Sequence, residues 1–279
     1  MLPTKENLER IKVFATALAK HCGTIQMEYF RKENIGIHTK TNVYDVVTKV
    51  DKLCEAYLLK EISASYPDHS VIAEETGKHM NQDSDWIWYI DPLDGTTSYS
   101  QGLPVFSVSI GVTYKGEGVV GVVCAPYLNE LFHAVKDGGA YLSYINSAVK
   151  DDNRPDIRLH VSKKTELSQC VLASGFPYDK ATHPKNNIRE AGILIPQIRG
   201  FRRMGSAAYD LCSTAMGTID AYWEYNLNTY DCSAGELIVK EAGGIVVPLC
   251  SDRKISIIAG PEILANKIHE LISRTDITK

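Results

Sequence analysis

No apolar run in this 279-residue chain approaches the ~20 residues that a bilayer-crossing helix needs. The N-terminus, Met1-Leu2-Pro3-Thr4-Lys5-Glu6, has neither a basic start nor an apolar signal core. A membrane association is therefore not expected, and the cytoplasm is the expected location. Cys-x-x-Cys pairs are also missing. The seven cysteines, Cys22, Cys54, Cys124, Cys170, Cys212, Cys232 and Cys250, are odd in number and widely spaced, which argues against a disulfide framework or a zinc ribbon and for reduced core residues. A basic stripe is absent too. With 30 Lys and Arg mixed among 34 Asp and Glu, for a net charge of -4, nucleic acid is not expected as the main substrate. Internal repeats, low-complexity tracts and acidic tails are lacking, so the chain reads as an ordinary folded unit long enough to bury a sizeable core.

What is present is a sequence of alternating helical and strand patterns. Leu8, Ile11, Ala15, Leu18, Cys22, Ile25 and Tyr29 recur at steps of three and four, which predicts an amphipathic helix over about Thr4 to Arg31. A second helix is expected from about Val46 to Ser65. Phe106, Val108, Ile110 and Val112 alternate with Ser107, Ser109 and Gly111, and Gly116-Glu117-Gly118 turns this strand into Val119 to Ala125. Glu130 to Val135 continues the antiparallel meander. The polar stretch Ser147 to Asp156, with Pro155, is the best candidate boundary, dividing an N-terminal half (1–150) from a C-terminal half (151–279).

The segment that carries chemistry is Trp88-Tyr89-Ile90-Asp91-Pro92-Leu93-Asp94-Gly95-Thr96-Thr97. The run from Trp86 to Ile90 has the aromatic and β-branched bias of a buried strand, and Pro92 prevents a regular ladder beyond it. Asp91 and Asp94 thus fall at a strand's end, while Gly95-Thr96-Thr97 can open a helix whose first free amides favour an anion. Hard oxygen ligands on a short turn suit Mg²⁺, which binds through a few carboxylates plus substrate phosphate. Asp-Pro-x-Asp-Gly is also ordinary surface-turn chemistry.

Other acids fall at comparable places. Ser70-Val71-Ile72-Ala73-Glu74-Glu75 is a short apolar strand ending in two acids, separated from Asp91 by the polar loop Lys78 to Asp85. Asp231, in Tyr230-Asp231-Cys232-Ser233-Ala234-Gly235, opens an apolar-periodic helix that ends at Gly243-Gly244. By itself Asp231 is a routine N-cap carboxylate. Together, Glu74, Asp91, Asp94 and Asp231 suffice for two or three Mg²⁺ ions at the roughly 3.5–4 Å spacing of two-metal phosphoryl chemistry.

Ile72-Ala73-Glu74-Glu75, Asp91 to Thr97 and Asp231 to Gly235 resemble, in order, the three metal motifs of the inositol monophosphatase family, and Lys40 to Asp51 and Arg203 to Ala208 fit the same pattern. The resemblance, spanning about Lys40 to Gly244, implies an α/β fold of the layered α-β-α-β-α sandwich type. It implies that Glu74, Asp91 and the carbonyl of Leu93 hold one metal, that Asp91, Asp94 and Asp231 hold another, and that the amides of Gly95 and Thr96 receive phosphate. Thr96 and Asp51 would orient the attacking water, which makes Thr96, Asp51 and Glu74 the catalytic set. Asp94, Gly95, Thr96, Thr97, Ser174, Ala207, Glu224 and Asp231 form the implied substrate set, with Glu224 accepting hydrogen bonds from substrate hydroxyls. Without the resemblance, Asp51 reads as an exposed acid on an amphipathic helix, Glu224 as a solvated strand-end acid and Ser174 as turn chemistry. Arg202-Arg203 is compatible with a second phosphate or with pairing to nearby acids.

Two positions depart from the family pattern. Ser98-Tyr99 follow the threonines where many relatives have Asn-Phe, and Tyr230 stands where relatives usually carry Trp. Neither removes a ligand, but both alter the walls near the substrate. The expected activity is Mg²⁺-dependent phosphomonoester hydrolysis of a small soluble metabolite, inositol 1-phosphate or a related polyol phosphate first, by a homodimer. Fructose-1,6-bisphosphate, a 3′-phosphoadenosine phosphate and histidinol phosphate are alternatives on the same scaffold; the nucleotidase branch often has Lys where this chain has Thr97. A regulatory protein with a vestigial site is the alternative outside enzymology. It should have lost an acid, and none of the expected ones is missing.

Overall fold

The computed structural model describes residues 3–33, 35–40, 46–81, 84–145 and 155–274. In chain order the elements are α1 (Lys5–Tyr29), β1 (His38–Thr39), β2 (Val46–Val47), α2 (Lys49–Ser65), β3 (Ser70–Ala73), β4 (Gly77–His79), β5 (Trp86–Asp94), α3 (Thr96–Ser100), β6 (Ser107–Tyr114), β7 (Glu117–Ala125), β8 (Glu130–Val135) and β9 (Gly139–Tyr144). They continue as β10 (Ile157–Arg158), β11 (Val171–Ser174), α4 (Ile188–Leu194), β12 (Gly200–Arg202), α5 (Ala207–Ala215), β13 (Ala221–Leu227), α6 (Thr229–Glu241), β14 (Ile245–Pro248), β15 (Ile255–Gly260) and α7 (Glu262–Arg274). An eight-stranded sheet has the order β10-β9-β8-β7-β6-β5-β3-β4, and a five-stranded sheet the order β12-β11-β13-β15-β14.

Apolar faces dictate how these elements stack. α1 buries Leu8, Ile11, Ala15, Leu18 and Cys22 at helical spacing, and with α2 it covers one face of the large sheet through a core that includes Leu58, Trp88 and Ile110. The other face packs on α5 and α6 in a second core shared with the small sheet. A third core joins the far face of the small sheet to α4 and α7. The layers therefore run α-β-α-β-α, as the resemblance implied. β6 is buried along nearly its whole length, because helices cover both faces and its small residues accommodate one of them.

Several boundaries differ from the sequence reading. α2 begins at Lys49 rather than Val46, because Thr48 and Asp51 close a capping box there. The start of the expected polar loop Lys78 to Asp85 instead belongs to β4, paired antiparallel to β3. β5 runs on to Asp94 despite Pro92, but its register with β6 shifts between Asp91 and Asp94, a local break of the kind proline imposes. Most of the expected boundary at Ser147 to Asp156 lies outside the described residues. Just beyond it, β10 still pairs with β9 of the first sheet.

One pair of glycines fixes how α6 meets the large sheet. Gly111 of β6 and Gly121 of β7 are cross-strand partners. A Cβ on Gly111 would meet Ser233 Oγ at 2.1 Å and Ala234 N at 2.9 Å, and one on Gly121 would meet Ala234 O at 2.6 Å. The helix thus lies flush on bare backbone, one turn after Asp231. We expect Gly121→Ala to lower unfolding stability by about 1–3 kcal/mol, because the obstructing atoms are backbone and the helix must shift. Urea unfolding measures it, and a wild-type midpoint would show that α6 yields freely.

Candidate active site

The parallel pairing of β3 with β5 sets Ala73 opposite Ile90, so the residues that follow, Glu74 and Asp91, emerge side by side at one sheet edge. Glu74 N donates to Ile90 O at 3.2 Å. The register break then returns Asp94 to the same edge. Its end is anchored from behind: Gln26 Nε2 donates to Pro92 O at 2.8 Å, and Tyr99 OH donates to Gln26 O at 2.7 Å. α6 delivers Asp231 as its third residue, with Oδ2 accepting from Asn228 N at 2.7 Å. Glu74, Asp91, Asp94 and Asp231 all line one cavity of about 470 Å³, together with Leu93, Gly95, Thr96, Thr97, Ala207 and Glu224.

Each acid is held by particular donors. Asp91 Oδ1 accepts from Leu93 N at 2.9 Å. Asp94 Oδ2 accepts from Ser206 Oγ and Ala208 N, both at 2.7 Å, at the N-terminus of α5. Asp51 is fully buried behind the cavity wall; its Oδ2 accepts from Thr48 N and Oγ1 and its Oδ1 lies 3.0 Å from Thr96 Oγ1. The same hydroxyl is 3.0 Å from Leu93 O, so one proton must choose between them. Gly95 adopts φ +91, where a Cβ would meet Gly205 O at 2.9 Å, and this permits the turn from β5 into α3.

Crowding acids in a buried place raises their proton affinity. Burial, with Lys40 opposing it, pushes Glu74 up to about 7. Burial likewise lifts Asp94 to about 6 against the Ser206 and Ala208 hydrogen bonds. Asp91 and Asp231 are held well above the usual carboxylate range by burial and by the charges of neighbouring acids, Glu74 and Asp94 among them. Glu74 Oε2 is buried without a hydrogen-bond partner among the described residues. Hard carboxylate oxygens, mutual repulsion and an orphaned acceptor together fit a divalent cation such as Mg²⁺.

The structure also brings in residues to which the sequence reading gave no role. Lys40 Nζ bridges Glu74, at 2.8 Å, and Glu75. Asp51, Glu74 and Glu75 present oxygens within 4.8 Å of one another. Asp210 lines the substrate end of the cavity with Arg203; its spacing of three from Ala207 on one helix was the available signal. Glu224 sits within β13 rather than at a strand end, and it accepts from Tyr222 OH. Burial raises it to about 7. Ser174 is not brought to the cavity: its buried hydroxyl donates to Trp223 O at 2.6 Å. Arg202 is exposed and bonds its neighbour's carbonyl, Phe201 O.

Five alternating layers with a carboxylate-lined cavity at the end of β5 are the architecture of the inositol monophosphatases. A sequence profile of that family matches residues 7–275, and the chain belongs to the inositol monophosphatase family. It is 42% identical over 232 residues to a Haemophilus influenzae protein named Nus factor SuhB, covering 83% of this chain and 82% of that one. A protein of the same name from Escherichia coli K12 is 43% identical to the chain over 202 residues, 72% of this chain and 71% of that one. An Anabaena inositol monophosphatase superposes with TM-score 0.82 at 35% identity, covering 96% and 97% of the two chains. Thermotoga maritima IMPase gives TM-score 0.80 at 28% identity, over 96% and 98%. No described helix is long and apolar enough to cross a membrane.

The acids' repulsion yields a sign that can be tested. Asp91 is raised in the folded chain, so from about pH 4 upward the unfolded chain gives up its proton first and the folded state is progressively disfavoured. In EDTA, Asp91→Asn should match the wild-type melting temperature near pH 4 and exceed it increasingly towards pH 7. A variant that melts lower at every pH would show that Asp91 stabilises the apo fold.

Proposed function

We propose that the protein is a Mg²⁺-dependent phosphomonoester hydrolase acting on small soluble phosphates, with inositol 1-phosphate or a related polyol phosphate as its preferred ester. The observation that carries this reading is the convergence of Glu74, Asp91, Asp94 and Asp231 on one cavity beside the Gly95-Thr96 turn. Family membership supports it, as does the likeness to the Anabaena inositol monophosphatase. Glu74, Asp91, Leu93 O, Asp94 and Asp231 are the proposed holders of two or three Mg²⁺ ions, which supply charge stabilisation and acidify a nucleophilic water.

The chain's own residues then divide the work. The amides of Gly95 and Thr96 orient the phosphate, and Thr97 lines its flank. Thr96 Oγ1 stands between the cavity and Asp51, so the pair positions the attacking water, and Asp51 is the eventual proton acceptor. Thr48 holds that carboxylate in place with two hydrogen bonds. Glu224 accepts from hydroxyls of the alcohol, and Ala207 leaves room for it. The buried Ser174 supports this wall by fixing the backbone of Trp223, next to Glu224.

A second reading is favoured by one observation, the name Nus factor SuhB carried by the similar Haemophilus and Escherichia proteins. It supports a regulatory role in transcription in addition to catalysis, and so widens the expectation of a small metabolite as sole partner. The two separate at Asp91→Asn, which removes an acid inside the cavity and leaves the surface intact.

Phosphate release from inositol 1-phosphate should require Mg²⁺ and stop in EDTA. Asp91→Asn or Asp231→Asn should lower kcat by at least about a hundredfold. Full activity of either variant would sink the metal mechanism.

Thr96→Ala and Asp51→Asn should each lower kcat more than they raise KM, since both act on the water rather than the bound ester. Their losses should overlap in the double variant. Additive free energies there would show that the two residues do not act as a unit.

A further inference from the structure

One acid of the cavity has no task in the fold or in the proposed chemistry. Asp210 lies on α5 three residues beyond Ala207, on the same helix face, and lines the cavity with Ala207, Glu224 and Arg203. It is 2% exposed. Its Oδ1 is buried and has no hydrogen-bond partner among the described residues. The helix does not need it as a cap, because Ser206 Oγ already accepts from Tyr209 N. Its charged surroundings are Glu224, Asp94 and the guanidinium of Arg203.

The neighbouring acids are already engaged. Asp94 Oδ2 accepts from Ser206 and Ala208, and Glu224 accepts from Tyr222 OH. A buried acceptor left without a donor disfavours the fold, so a molecule in the cavity that brings a donor to Asp210 is bound more tightly. Arg203 in the same wall disfavours an ammonium there. Neutral donors are favoured, and in a phosphate ester of a polyol the remaining hydroxyls are such donors.

We infer that Asp210 is a specificity-determining residue that, with Glu224, reads a second hydroxyl of the alcohol, so that the cavity selects phosphate esters of polyols over those of simple alcohols. This rests on the phosphatase reading above and deepens it. Glu224 reaches in from β13 and Asp210 from α5, so the two acceptors approach the alcohol from different elements. A ring with hydroxyls on separated carbons can satisfy both, whereas an ester with one hydroxyl or none leaves Asp210 orphaned. Burial already holds Asp210 above the usual carboxylate range, with Glu224 and Asp94 adding to it, as expected of a group that lacks donors until one arrives.

The test uses the full chain with Mg²⁺ and two non-hydrolysable probes, inositol 1-phosphonate and phenylphosphonate, titrated by calorimetry into wild type, Asp210→Ala and Asp210→Asn. For the inositol probe, Asp210→Ala should weaken binding at least tenfold. Asp210→Asn, which keeps an acceptor oxygen, should weaken it less. Phenylphosphonate should change by less than twofold, and the melting temperature of Asp210→Asn should stay level or rise, which a merely structural role would not produce. Equal weakening of both probes, or unchanged affinity for the inositol probe, overturns the assignment while leaving the phosphatase reading standing. If wild type binds neither probe, that reading falls and Asp210's role falls with it.

Discussion

The close approach of α6 to the large sheet is the constraint on which the rest of the molecule depends. Gly111 and Gly121 remove two side chains from adjacent strands, so the helix backbone comes within van der Waals contact of the strands. Asp231 rides on the first turn of that helix. Were the helix lifted by the height of even a methyl group, the acid would move away from Asp91 and Asp94, and the second core would open where both sheets share it. Packing and chemistry are thus fixed by the same two missing side chains.

What this approach concentrates is negative charge. Four carboxylates from three elements share a cavity whose lining also includes the cations Lys40, Arg203 and Lys254. The donors that hold Asp91, Asp94, Asp51 and Asp231 are backbone amides or neutral side chains for the most part, which orient the carboxylates without neutralising them. Lys40 forms ion pairs with Glu74 and Glu75. Such a site stores repulsion until a cation relieves it.

Much of this was legible in the sequence because the informative residues are local. The Asp91-to-Thr97 run encodes its own break, turn and helix start, and the apolar periodicity of α1 is plain from Leu8 to Tyr29. The places where reading failed depend on tertiary contact. β4 is visible only as a partner of β3, and nothing within Gly77-Lys78-His79 marks it as a strand. Thr48 delays the start of α2 to Lys49 through a capping box that overrides the apolar pattern beginning at Val46. Ser174 reads from the sequence as turn chemistry or a substrate-side residue, yet its hydroxyl is buried against β13. Asp210 was hidden by its ordinary surroundings, since an acid in the first turn of a helix is common on dipole grounds alone.

Asp51 and Asp231 occupy the same position in their helices, the third residue, and each gives one oxygen to the amide that begins the helix, Thr48 N and Asn228 N. The carboxylate that closes the helix and the carboxylate that faces the chemistry are therefore one group. Helix ends ordinarily fray on fast timescales at little cost. Here every fraying event of α2 or α6 also withdraws a carboxylate from its working position. Occupancy of the cavity and persistence of the two first turns become a single equilibrium, so ligand binding is felt as slowed amide exchange at the starts of both helices.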